Sequence, residues 1–152
     1  MIQRRTLLAG FLAGTALAAV GCSSGIPVIG STDPDAEVKA GTAASEAGLI
    51  AIYDSVIEAF PALGKDLTPF RDQHSQHLSA IVGDGGAPAS ANVTIDVASQ
   101  LDAARLLRRA ERQAAKLRVE GCVAARDASL SELLSVIGSC EAAHATFLAG
   151  VR

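Results

Sequence analysis

The stretch Leu130–Val151, LSELLSVIGSCEAAHATFLAGV, decides the fold. Leu130, Leu134, Ile137, Glu141, His144, Leu148 and Val151 follow one another at alternating spacings of four and three. That alternation is the period of an α-helix with one buried face. Two of its seven positions, Glu141 and His144, are polar, adjacent on the stripe and three residues apart. Ser129 followed by Glu132 reads as a capping box that opens this helix, over about 130–150.

Working outward, three more helices are expected. One runs from about Ala40 to Phe60, with Ile50, Tyr53, Ile57 and Phe60 on its apolar face, and Pro61 to Gly64 ends it. A second runs from about Lys65 to Val82, with Pro69 near its first turn, where proline is tolerated. A third runs from about Thr94 to Ala125. Gly83 to Asn92 (GDGGAPASAN) is a loop. The predicted class is all-α, a four-helix bundle of two helical hairpins. The central loop is long enough for a crossover along the bundle but equally allows a simple connection.

The polar residues that break the apolar stripes carry the chemical information. His74 and His77 sit inward on the second helix. Glu46 extends the stripe of the first helix, and Glu111 follows Leu107 on the third. A hairpin juxtaposes residues equidistant from its turn. Glu46 and the His74/His77 pair are centred on about residue 61, while Glu111 and the Glu141/His144 pair are centred on about residue 127. Each hairpin therefore sets a carboxylate beside its i, i+3 pair. Buried carboxylates are costly when unpaired. Six such groups in one core are satisfied by a metal ion, with iron, manganese and zinc suited to oxygen and nitrogen donors. They are also satisfied, with no metal, by one another or by Arg71 or Arg108.

Glu46, His74/His77, Glu111 and Glu141-Ala-Ala-His144 resemble the ligand layout of the ferritin-like superfamily, one Glu from each of two helices and Glu-x-x-His from the other two. The segments LIAIYDSVIEAFPALGKDLTPFRDQHSQHLSAI and LLSVIGSCEAAHATFL are similar to the ferritin-like domain of exported bacterial lipoproteins. The likeness covers about Gly41 to Val151. It implies a ferritin-like bundle with a metal site at those six residues, and no settled activity. One departure stands out: the second helix offers His74-Ser75-Gln76-His77 where the layout has Glu-x-x-His. Losing that carboxylate weakens the case for a di-iron oxidase and leaves room for a single metal, a different metal or none.

The N-terminus reads as an address. Arg4-Arg5-Thr6-Leu7-Leu8 resembles a twin-arginine export signal, and Ala19-Val20-Gly21-Cys22 resembles a lipobox. Residues 1–22 are then a signal peptide, Cys22 the lipidated residue, 23–39 a flexible tether and 40–152 the domain. The expected location is the extracytoplasmic side of the cell membrane, with the membrane as partner through the lipid anchor. Loss of Arg4 and Arg5 takes the net charge from −3 to −5, which argues against a nucleic-acid partner. The sequence names no protein partner and no reaction. Among 152 residues, thirty are alanine and only 3% are aromatic, which suits closely packed helices. Cys122 and Cys140 remain in an oxidising compartment and invite a disulfide, but their distances from the Arg126-Asp127 turn differ. Arg105, Arg109, Arg112 and Lys116 share one face, read first as solvated and second as a contact for anionic lipid. Tyr53 reads as a core aromatic. There is no phosphate-binding loop and no nucleophile elbow.

Overall fold

A computed structural model of the chain describes residues 33–83, 86 and 93–151. The leader expected over 1–22, its Cys22 and most of the tether lie outside the described residues. Residues 32–152 form a compact unit of their own. It holds four helices: α1 (Ala36–Ala59), α2 (Gly64–Val82), α3 (Gln100–Ala124) and α4 (Ala128–Leu148). No strand occurs among the described residues, so the chain is the expected all-α four-helix bundle. No single helix among them is long and apolar enough to cross a membrane.

Local chemistry sets the helix ends. Phe60 leaves the helical region (φ −133°, ψ 73°) because Pro61 follows it. A single 3-10 turn, Pro61–Leu63, then leads into α2. Pro69 falls deeper than expected, at the sixth residue of α2. It is tolerated because both it and Lys65, whose carbonyl it leaves without a partner, face solvent. α3 begins at Gln100 rather than Thr94, because the Ser99 hydroxyl accepts from the Asp102 N–H at 3.1 Å and fixes the start. The expected capping box at Ser129 is replaced by Asp127, whose carboxylate accepts from the Ser129 N–H at 2.7 Å. α1 begins at Ala36, inside the stretch expected to be tether. Asp35, 1% exposed, accepts there from the Arg126 and Asp127 N–H groups, both at 2.8 Å.

These contacts give the topology. α1 packs on α2, α3 on α4, and α1 also lies against α3. Asp35 meets Arg126, Glu46 meets Arg118 and Tyr53 meets Glu111. Numbers rise along α1 as they fall along α3, so the two are antiparallel. α2 and α3 therefore run parallel, and residues 83–99 must join opposite ends of the bundle. Ile81 packs with Ala43 and Leu130 at one end, whereas Ile95 and Val97 pack with Phe60 and Leu63 at the other. The connection is a long crossover, a choice the sequence left open. Its length is ample: α2 spans about 28 Å, and each extended residue reaches about 3.3 Å.

The core has two apolar ends with a polar layer between them. One end contains Ala43, Ala47, Leu78, Ile81, Leu130, Leu134 and Ile137. The other contains Tyr53, Val56, Leu67, Ala103, Leu107 and Leu148. The α4 stripe lies as expected, buried from Leu130 to Leu148. The α1 stripe is rotated from the expected one: Leu49, Tyr53 and Val56 are buried, and Ile50 and Ile57 are half-buried.

Two helical glycines separate a packing demand from a propensity cost. A Cβ on Gly138 would lie 2.9 Å from the Arg118 Cβ, whereas a Cβ on Gly48 meets nothing within 4 Å. Gly48→Ala is expected to stabilise the bundle by about 0.5–1 kcal/mol. Gly138→Ala is expected to destabilise it by about 1–3 kcal/mol through overpacking. Urea midpoints of the two variants check both signs.

Candidate metal centre

The polar layer brings together all six residues singled out in the sequence. Glu46, His74, Glu111 and Glu141 are wholly buried, and His144 is 4% exposed. His77 lies at the rim, its side chain 13% exposed. Hairpin geometry explains the convergence, because each pair is level with its carboxylate across a short turn.

His74 sits at the centre. Its Nδ1 is 2.8 Å from Glu46 Oε2 and its Nε2 is 2.9 Å from Glu111 Oε1. His144 Nδ1 lies 3.1 Å from the same Glu111 oxygen, and its Nε2 lies 2.7 Å from Gln73 Oε1. The Tyr53 hydroxyl donates to Glu111 Oε1 at 2.5 Å. Phe70 stacks on the His144 ring, centroids 4.4 Å apart, and holds its orientation. His77 Nδ1 is 3.7 Å from Glu46 Oε2, beyond a hydrogen bond.

Sequence reading missed Arg118. It is 2% exposed, and one of its terminal nitrogens lies 3.0 Å from Ser45 Oγ and 3.0 Å from Glu46 Oε1. The same nitrogen approaches Glu141 Oε1 at 3.1 Å, out of line for a hydrogen bond, so both Glu141 oxygens are left unbonded. The expected alternatives do not enter the layer: Arg71 pairs with Asp54 at the surface and Arg108 is exposed. The missed signal was the continuation of the α3 stripe, since Leu107, Glu111, Ala114 and Arg118 keep the four-three alternation. Gly138 on α4 gives the arginine stem its space.

The electrostatics follow from burial and pairing. Burial opposes ionisation of Glu46, but the hydrogen bond with His74, the approach of the His77 ring and the nearby Arg118 charge outweigh it and hold its pKa at about 2. Burial also opposes charge on His74, yet its two carboxylate neighbours raise its pKa to about 9. Glu111 is lowered, because bonds from His144 and His74 overcome its desolvation. Glu141 goes the other way. Burial dominates, Arg118 offsets part of it, and the Glu46 and Glu111 charges add to it, so its pKa rises to about 8.

Two overlapping groups have atoms close enough to share an ion: Glu46, His74 and His77, and His74, Glu111 and His144. Within each group the donor atoms lie within 4.8 Å of one another. Glu141 belongs to neither. The disulfide that the sequence left open does not form, and Cys122 and Cys140 are free thiols. Cys122 is level with Ser131, with its Sγ 3.3 Å from the Ser131 carbonyl oxygen. Cys140 stands nine residues further along α4, about 13 Å away along the axis and out of reach of a bridge. Arg105, Arg109, Arg112 and Lys116 are exposed on α3, as a solvated face would be.

No protein-family model matches the chain, and no curated protein matches it. Among solved structures, the chain is similar to a crystal structure described as a conserved hypothetical protein, rv2844, from Mycobacterium tuberculosis. The two share 24% sequence identity and a TM-score of 0.67, over 76% of this chain and 95% of that one. At that identity the likeness establishes the fold alone.

Two stability tests follow from this layer. Arg118→Met removes the cation beside Glu46 and is expected to cost about 3–5 kcal/mol. Glu141→Gln replaces a side chain already largely protonated at pH 7 and is expected to cost under about 1 kcal/mol. Chemical denaturation at pH 7 compares them.

The pH dependence has a definite sign. His74 is raised from 6.5 to about 9, so its contribution is complete below pH 6.5 and is lost as the pH climbs through 9. Glu141 is raised from 4.5 to about 8, so the cost of ionising it builds between those values. The metal-free protein should therefore lose stability steadily from pH 6.5 to 9. Glu141→Gln should flatten the part of that slope below pH 8. Thermal melts in chelator across this range test both statements.

Proposed function

We propose that the chain is a ferritin-like lipoprotein, held by its lipid anchor on the extracytoplasmic side of the cell membrane, that binds a metal ion in the polar layer of its bundle. The observation that carries the metal reading is the distribution of hydrogen bonds on Glu111. Its Oε1 is approached by Tyr53, His74 and His144, while its buried Oε2 has no partner. His77 Nδ1 and both Glu141 oxygens are unbonded as well. Native cores seldom leave so many buried polar atoms unsatisfied. A cation drawing on carboxylate oxygen and imidazole nitrogen relieves that deficit, so the donor set fits a metal.

The ferritin-like assignment draws support from the bundle with one long crossover and from the sequence likeness over Gly41 to Val151. The anchored location draws support from Arg4-Arg5, the apolar run that follows and Ala19-Val20-Gly21-Cys22. Iron, manganese and zinc suit the donors. When bound, such an ion supplies Lewis acidity or, for iron and manganese, redox capacity. The protein's own groups orient the ligands and keep the layer dry.

A second reading rests on Arg118. Its guanidinium reaches Glu46 and Glu141 without any metal, which supports a structural polar core in a partner-binding bundle. Elemental analysis separates the two. Protein purified from its native host without chelator should carry near-stoichiometric iron, manganese or zinc, and Glu141→Ala/His144→Ala should carry none. Absence of metal from both, with the variant only less stable, supports the structural core. The anchor is tested independently: an acyl adduct on Cys22 by mass spectrometry, with Cys22→Ser released from the membrane fraction, is the expected result.

A further inference from the structure

Resting on the metal reading above, we infer that the layer takes one divalent cation rather than two, and that its protein ligands are His74 Nε2, Glu111 and His144 Nδ1. Three observations assign it.

The first is the sharing of His74. Both candidate groups need this ring, yet its two nitrogens face different carboxylates. A neutral imidazole has one lone pair for a metal and one N–H. It serves one ion, and the remaining N–H must find an acceptor.

The second is the state of each ligand's far side. If Nε2 binds the ion, His74 Nδ1–H donates to Glu46 Oε2 at 2.8 Å. That is the carboxylate–histidine–metal relay by which proteins fix a ligand's tautomer. Arg118 in turn holds the other oxygen of Glu46 at 3.0 Å. His144 Nε2–H donates to Gln73 Oε1 at 2.7 Å, which leaves Nδ1 unprotonated and facing Glu111. Tyr53 donates to Glu111. Every member of this group has its second partner in place. The other group does not: Glu46 is already committed to Arg118 and His74, and the His77 side chain sits at the rim, 13% exposed. The distances agree as well. His74 Nε2 and His144 Nδ1 lie 2.9 and 3.1 Å from the Glu111 oxygen, close to the roughly 3 Å edge between neighbouring ligands about 2.1 Å from a common octahedral ion.

The third is formal charge. With neutral histidines and a charged Arg118, the layer carries −2 if all three glutamates are ionised and −1 if Glu141 is protonated, so it balances no more than one divalent cation. A second ion would be unbalanced, and it would have to share Glu46 and Glu141 with the Arg118 guanidinium, 3.0 and 3.1 Å from their oxygens. Arg118 thus stands where a second cation would draw its carboxylates. Two histidines and one carboxylate form the donor set associated with iron(II) and similar divalent ions.

The test uses full-length protein stripped with chelator, reloaded with Mn(II) and separately with Zn(II), and analysed by equilibrium dialysis. One ion per chain is expected. Glu111→Gln and His144→Ala should weaken binding at least 100-fold. Glu46→Gln should weaken it about 10–100-fold without changing the stoichiometry, while His77→Ala and Glu141→Gln should stay within about threefold of wild type. Far-UV circular dichroism confirms that each variant is folded. Pulsed EPR of Mn(II)-loaded wild type needs no variant and should show two coupled histidine nitrogens. Two ions per chain, three coupled nitrogens, or binding lost in His77→Ala and kept in His144→Ala would overturn this assignment while leaving the metal reading intact. No binding by the wild-type chain would overturn both.

Discussion

Three carboxylates buried in one layer of a helical bundle are the constraint around which the rest of this structure is arranged. Such groups cannot all ionise without cations beside them. The bundle answers unequally. Glu46 is given Arg118 and His74, Glu111 is given His74, His144 and Tyr53, and Glu141 is left with a poorly aligned approach from Arg118. The consequence is a divided set. Two carboxylates are held well toward the charged form and the third is pushed toward the neutral one. The apolar ends of the core bear the packing load, so the polar layer need not be the most stable arrangement available. A layer of aliphatic residues of the same volume would satisfy the fold at lower cost. That cost is in keeping with the proposed role of the layer as an ion site.

The topology serves that layer. A hairpin alone brings only two helices level with each other. The crossover lets α3 run antiparallel to α1, which sets Glu111 opposite Tyr53 and Arg118 opposite Glu46. Asp35 then fixes the axial position of α1, since its two carboxylate oxygens bind consecutive N–H groups in the α3–α4 turn. A shift of one residue along α1 would move Glu46 about 1.5 Å along the axis and rotate it about 100°, away from His74 and Arg118. The register of the site is thus set partly by a contact about three turns away from it.

Much of this was legible in the sequence because helical periodicity and hairpin symmetry are local rules. The α4 stripe and the convergence of Glu46, His74, Glu111, Glu141 and His144 follow from spacing alone. What escaped depended on information that spacing does not carry. Asp35 looked like part of a Pro/Gly/Ser-rich tether, because the partners of its carboxylate lie some ninety residues away. Thr94 to Ser99 have enough apolar character to read as helix, yet Ile95 and Val97 are used to pack an extended crossover against α1 and α2. Arg118 was overlooked for a chemical reason. Arginine is almost never fully buried without a partner, and the partner here is on another helix.

The departure at His74 and the presence of Arg118 are best understood together. In the ferritin-like layout, four carboxylates and two histidines surround two ions, so the negative charge of the site matches a pair of divalent cations. Replacing one carboxylate with imidazole removes one negative charge, and placing a guanidinium among the remaining three removes the effect of another. Both together leave −2 with every carboxylate ionised and −1 with Glu141 neutral, and neither charge balances two divalent ions. The two residues lie on different helices, α2 and α3, and are linked through Glu46, which bonds to both. Glu46 is accordingly the residue whose role differs most from the one its position in the layout suggests. In the proposed one-ion site it orients His74 through one oxygen and pairs with Arg118 through the other.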